Sequence, residues 1–127
     1  MLINGDEVII RLHGQAFHCA LDVTMHYLGG KWKAVILWYL RGGPRRFSAL
    51  RKCIPDITEK MLSLQLKNLE ANGLIERTVL AEKPLTVDYR LTPFGQSIMP
   101  VVEAMAKWGR ELGEAQGEWV SVESRKS

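Results

Sequence analysis

From Cys19 onward the apolar residues of this chain recur at the spacing of a helix, and each run stops at glycine or proline. Cys19 to Leu28 carries Ala20, Leu21, Met25 and Leu28 and ends at Gly29-Gly30, which predicts a first helix closed by a glycine cap. Lys31 to Leu40 predicts a second, with Trp32, Val35, Ile36, Tyr39 and Leu40 in a broad apolar stripe that anchors Trp32 in the core. It ends at Gly42-Gly43-Pro44. A short third helix, Ser48 to about Cys53, is bounded by Ile54-Pro55-Asp56-Ile57, because proline disfavours helix in the residue before it. Thr58 then caps a longer fourth helix reaching Asn72, with Gly73 beyond its end. On that helix Leu62, Leu66 and Leu69 share one side, and Lys60, Ser63, Leu64 and Lys67 the other.

At Leu74 the period falls to two. Leu74 to Leu80 and Leu85 to Leu91 read as strands, the second with Val87, Tyr89 and Leu91 on one face, joined by the charged tip Ala81-Glu82-Lys83-Pro84. Thr92-Pro93 is a helix start, and Ile98, Val101, Val102, Met105, Trp108 and Leu112 continue it, with a kink or break expected at Pro100. Residues 1–18 form an N-terminal arm in which Glu7 to Leu12 suits a short strand, residues 19–116 the folded domain, and residues 117–127 a frayed tail. The fold class is therefore mainly α with a small β-hairpin wing (α+β). Two short helices across a tight turn, the second polar on its outer face and followed at once by a hairpin, make a winged helix-turn-helix.

Charge strengthens that assignment. Between Gly29 and Lys83 stand eleven basic and five acidic residues, a net +6, whereas the rest of the chain carries six and nine, a net −3. A basic middle between acidic ends points to a polyanion such as double-stranded DNA touching the helix-turn-helix and wing. With its leucines fixed on the core, the fourth helix can enter a major groove about 12 Å wide. Lys60 and Ser63 are then the expected base readers, with Lys67 on bases or phosphate and Thr58 at the helix start. Arg77 and Lys83 on the hairpin, Arg45 and Arg46 before the third helix, and Lys31 are phosphate candidates.

Composition excludes several other classes. With 127 residues, 46% apolar and 24% charged, the chain fits one small globular domain. Its longest uncharged apolar run, Ala34 to Leu40, is far below the roughly 20 residues needed to span a bilayer, and no signal peptide is evident, so no membrane partner and a cytoplasmic location are expected. Two cysteines make no disulfide framework. There is no P-loop, no Gly-x-Ser-x-Gly, and no cysteine with an evident His and Asp partner, so neither an enzyme nor a cofactor is expected.

The runs Gly29-Gly30-Lys31-Trp32, Arg46-Phe47-Ser48-Ala49-Leu50, Ile57-Thr58-Glu59-Lys60-Met61-Leu62, Leu66 to Arg77, Tyr89 to Gly95 and Trp108-Gly109 resemble, in order, the HxlR-type family of bacterial winged-helix transcription regulators. The resemblance implies a homodimer that binds operator DNA, with repression the commoner outcome, joined through its first and last helices. Leu21, Met25, Val102, Met105, Trp108 and Leu112 are the corresponding interface candidates here. Many members carry a cysteine just before the first helix, usually followed by proline, and some use it to sense quinones, aldehydes or oxidants. Cys19 occupies that place, with Ala20 where proline is usual.

A cysteine at a helix start beside His18 favours thiolate character, which supports Cys19 as the sensor of a small electrophile or oxidant; Cys53 reads as structural. Two alternatives stand beside this. His13, His18, Cys19 and His26 together offer four metal ligands, though at no known zinc spacing, so a metal-responsive regulator is one. A winged helix serving as a protein-interaction module is the other, and the lysine-bearing outer face argues against it.

Overall fold

The computed structural model describes residues 9–121 and, before them, the short strands Leu2–Ile3 and Asp6–Glu7. Two antiparallel hairpins come first, β1 (Leu2–Ile3) with β2 (Asp6–Glu7) and β3 (Ile10–Leu12) with β4 (Gln15–Phe17). They are followed by α1 (Ala20–Leu28), α2 (Lys33–Leu40), β5 (Arg45–Arg46), α3 (Phe47–Cys53), α4 (Glu59–Ala71), β6 (Ile75–Glu82), β7 (Leu85–Leu91) and α5 (Pro93–Gln116). Strands β5, β7 and β6 form one antiparallel sheet in that order. The winged helix-turn-helix expected from the sequence is thus present. Val8, within the strand expected over Glu7 to Leu12, and residues 122–127 of the expected tail lie outside the described residues.

The core forms where the apolar stripes converge. Leu62, Leu66 and Leu69 of α4 are sealed against Ile36, Leu37 and Leu40 of α2, Leu50 of α3 and Met99 and Val102 of α5. Full burial of such a side chain contributes about 1.5–3 kcal/mol. Trp32 packs at the edge of this core, as its pattern predicts. The link between α3 and α4 is pinned by Ile54 and Ile57, both buried, while Pro55 and Asp56 face outward. Val102, expected at a subunit interface, is only 3% exposed and belongs to the protomer's own core; its neighbours on the outer side of α5, not Val102, remain uncovered.

The end of α4, the start of the wing and the start of α5 meet at one point. The N–H of Leu74 donates to the Leu69 carbonyl and that of Gly73 to the Glu70 carbonyl, a Schellman cap that needs the left-handed backbone of Gly73 (φ +77°). Thr92 caps α5 by accepting from the N–H of Gly95, its own N–H donates to the Leu74 carbonyl, and its hydroxyl donates to the Gly73 carbonyl. Gly95 is so close to the Leu74 backbone that a Cβ there would overlap the Leu74 carbonyl oxygen.

Several local features depart from the sequence pattern. Strand β5 arises in a segment with no alternation to announce it, because β7 supplies its partners: Arg45 pairs with Tyr89 and Arg46 with Asp88. The wing strands run on into the expected tip as far as Glu82 and Leu85, with an irregularity between Val79 and Ala81, leaving only Lys83-Pro84 as the turn. Helix α5 is unbroken through Pro100, correcting the expected break. Gln96, whose carbonyl loses its donor there, and Pro100 both lie on the exposed side, where solvent serves that carbonyl. Before α1, His13 (φ +50°) and Gly14 (φ +78°) make the two-residue turn of β3–β4, and Phe17 buries itself beside α1. Rings then follow edge to face from Phe17 to His26, Tyr27 and Phe94, with centroids 5.4, 5.0 and 5.4 Å apart. Beyond α5, the Trp119 ring folds back beside Gly113.

Adjacent arginines of β5 have opposite fates. Arg45 is half-buried, its Nε donating to the Tyr39 carbonyl at 2.6 Å and its Nη1 standing 3.7 Å from the Cys53 sulfur, so it ties α2, β5 and α3 together. Arg46 is exposed. Arg45→Ala leaves the Tyr39 carbonyl without its charged donor and is expected to cost about 1–3 kcal/mol. Arg46→Ala is expected to stay within about 0.5 kcal/mol of the parent. Urea unfolding midpoints of the two variants measure the difference.

Candidate nucleic-acid interface

Helix α4 is held from within and presented from without. The three buried leucines fix its inner side, and Thr58 fixes its start, its hydroxyl oxygen accepting from the Met61 N–H at 3.0 Å. Glu59 in the first turn complements the positive end of the helix dipole. On the opposite side Lys60, Leu64, Lys67 and Asn68 are exposed. Lys60 and Lys67 therefore stand where the sequence placed them. Ser63 does not: it is half-buried on the flank that faces the wing, because its position on the helix turns it toward β7 rather than outward.

That flank borders a polar cleft of about 530 Å³ between the helix-turn-helix and the wing, lined among others by Arg46, Ser48, Glu59, Ser63, Arg77 and Tyr89. Three of the expected contact residues, Arg46, Ser63 and Arg77, are thus brought together by folding, although they are far apart in the chain. Asp88, opposite Arg46 in the sheet, has its Oδ1 buried with no hydrogen-bond partner among the described residues. Arg45, expected to meet phosphate, is turned inward to Tyr39 and Cys53 and is removed from that role. Its backbone pairing within β5 is what points its guanidinium the other way from Arg46. Lys83 is exposed at the wing tip, and Lys31 is exposed between α1 and α2 with its Nζ 4.7 Å from the centre of the Trp32 ring.

The remaining candidates lie at the other end of the molecule. Cys19 is half-buried at the N-cap of α1, and its side chain makes no capping hydrogen bond. Asp22 in the first turn accepts the His18 N–H at 3.0 Å, placing a carboxylate at the helix end where the sequence showed only His18. No three His, Cys, Asp or Glu side chains converge on a possible metal site among the described residues. The metal alternative is corrected by this geometry: His26 is committed to edge contacts with Phe17 and Tyr27, which turns it away from any ligand cluster. Leu21 (69% exposed), Met25, Met105, Trp108 (68%) and Leu112 lie uncovered on α1 and α5, unlike Val102. No described helix is long and apolar enough to cross a membrane.

Known proteins agree with this architecture. The family model for the HxlR-like helix-turn-helix matches residues 27–117. The HTH-type transcriptional regulator YkvN of Bacillus subtilis is 40% identical over 110 residues, covering 84% of this chain and 93% of YkvN. Among solved structures, the redox regulator HypR in its reduced form superposes with a TM-score of 0.73 at 36% identity, over 80% of this chain and all of HypR. The reduced form of the transcriptional regulator YodB from Bacillus subtilis gives 0.64 at 37% identity, over 76% of this chain and 96% of YodB. A wing packed beside a cationic helix, on a core whose residues the family model spans almost end to end, places this chain in the HxlR-like helix-turn-helix family of transcriptional regulators.

Proposed function

We propose that the protein is a homodimeric repressor that binds a near-palindromic operator in cytoplasmic double-stranded DNA, with α4 of each protomer in a major groove. The observation that carries this reading is the division of α4 into a leucine side sealed on the core and an outer side bearing exposed Lys60 and Lys67, beside the cleft of Arg46 and Arg77. Lys60 reaches base edges, Lys67 meets phosphate, and Arg46, Ser63 and Arg77 receive the backbone that runs between helix and wing. Thr58 keeps its hydroxyl hydrogen for a phosphate oxygen at the mouth of α4, and Lys83 at the wing tip and Lys31 meet flanking phosphates. The uncovered apolar side chains of α1 and α5 supply a self-complementary surface for a two-fold partner, with half-sites about one helical turn apart.

An electrophile or oxidant is the proposed signal, received at Cys19. What supports it is the half-open position of that sulfur at a helix start, together with the redox regulator HypR among the structural relatives. Adduct formation there would alter the packing of α1, the helix that shares the proposed interface with α5.

Three measurements test this function. In a titration against salt, Lys67→Ala is expected to lower the slope of log K by about 0.9 for the lost phosphate contact. Lys60→Ala is expected to cost about 1–3 kcal/mol and to relax sequence preference. Affinity unchanged in both variants would mean that α4 is not the reading helix. Sedimentation at micromolar concentration is expected to give a dimer for the parent and a monomer for Trp108→Glu, and a monomeric parent would sink the dimer. Finally, diamide or a quinone is expected to change DNA binding by the parent but not by Cys19→Ser; a variant that still responds removes Cys19 as sensor.

A further inference from the structure

The side chain of α4 that points most directly away from the core is apolar. At 100° per residue, Leu64 lies about 160° round the helix from Leu62 and Leu66 and about 140° from Leu69. Those three are sealed, whereas Leu64 is 50% exposed. Exposed Lys60 and Lys67 stand within about 60° of it on the same face. An isolated surface leucine is ordinary. One at the crest of the cationic face of a groove-reading helix has a defined chemical counterpart, because the C5 methyl of thymine is the apolar group that base edges display in the major groove.

We propose that Leu64 is a specificity-determining residue, covering the C5 methyl of a thymine in each half-site and thereby fixing an A·T pair there. The inference rests on α4 being the reading helix, as argued under the proposed function. Its logic is a division of labour. Lysines on the phosphates hold the helix in the groove without choosing a sequence, whereas a leucine gains only where a methyl stands opposite it. Cytosine at the same place offers no methyl, and its amino group would lose water against the leucine side chain. Leu64 also enters the groove without a charged hydration shell to strip, so close approach at the crest is favoured.

Duplexes enriched from a random pool by the full-length wild-type protein supply the probe. Each thymine is then replaced, in both half-sites together, by deoxyuridine, which differs only in lacking the methyl. One symmetric pair of replacements is expected to weaken wild-type binding about fourfold per methyl. Leu64→Ala is expected to bind the parent duplex correspondingly less tightly and to be indifferent to that replacement, which isolates the pairwise contact. Leu64→Gln, a second substitution at this exposed site, is expected to move the preference at that base pair toward adenine, whose N6 and N7 it can bridge. Wild-type binding unchanged at every deoxyuridine, or a Leu64→Ala protein that still distinguishes the two bases, overturns the inference while leaving DNA binding intact. A pool from which nothing is enriched overturns DNA binding and this inference with it.

Discussion

The close crossing of Gly95 over the backbone of Leu74 is the contact on which the rest of the architecture turns. Three elements end or begin there: α4 finishes in its Schellman cap, β6 departs, and α5 starts under the cap of Thr92. Almost every interaction at this point is made by backbone, so its geometry is set by distances that side-chain repacking cannot adjust. The orientation of the exposed side of α4 relative to the long axis of α5 follows directly. A groove-reading surface and an assembly surface are thereby joined with no flexible linker between them, which is what reading two half-sites at a fixed separation requires.

Around this junction, charge and apolar surface divide the work. Lys60, Lys67, Arg46 and Arg77 give a field that favours DNA of any sequence. The neutral residues among them, Leu64 and Ser63, carry no such attraction and can matter only through shape and local chemistry. The strongly basic middle of the chain therefore accounts for affinity more readily than for choice.

Much of this was legible from periodicity. The leucines of α4, the caps at Thr58 and Thr92, the glycine at 73 and the change of period at Leu74 are local signals, and the elements they announce fall within a few residues of where they were expected. What escaped was everything decided by distant partners. Arg45 and Arg46 are identical as sequence, and only pairing with Tyr89 and Asp88 sends one inward and the other out. Val102 matches the helical spacing of Met105 and Trp108, yet α2 covers it and leaves them bare. His13, His18, Cys19 and His26 are close in the chain, but the β3–β4 hairpin draws His26 into a row of rings. Two-residue β5 has no pattern of its own to read.

The unbroken course of α5 through Pro100 has a mechanical corollary. Its 24 residues make a rod of about 36 Å, anchored in the core by Met99 and Val102 and free of it beyond them. Adding one residue to the free half would advance Trp108 and Leu112 by about 1.5 Å but swing them about 100° around the axis, off any surface they had matched. The arm thus behaves as a gauge graduated in whole helical turns, and lineages that change the reach of such a regulator have to lengthen or shorten it in those coarse steps.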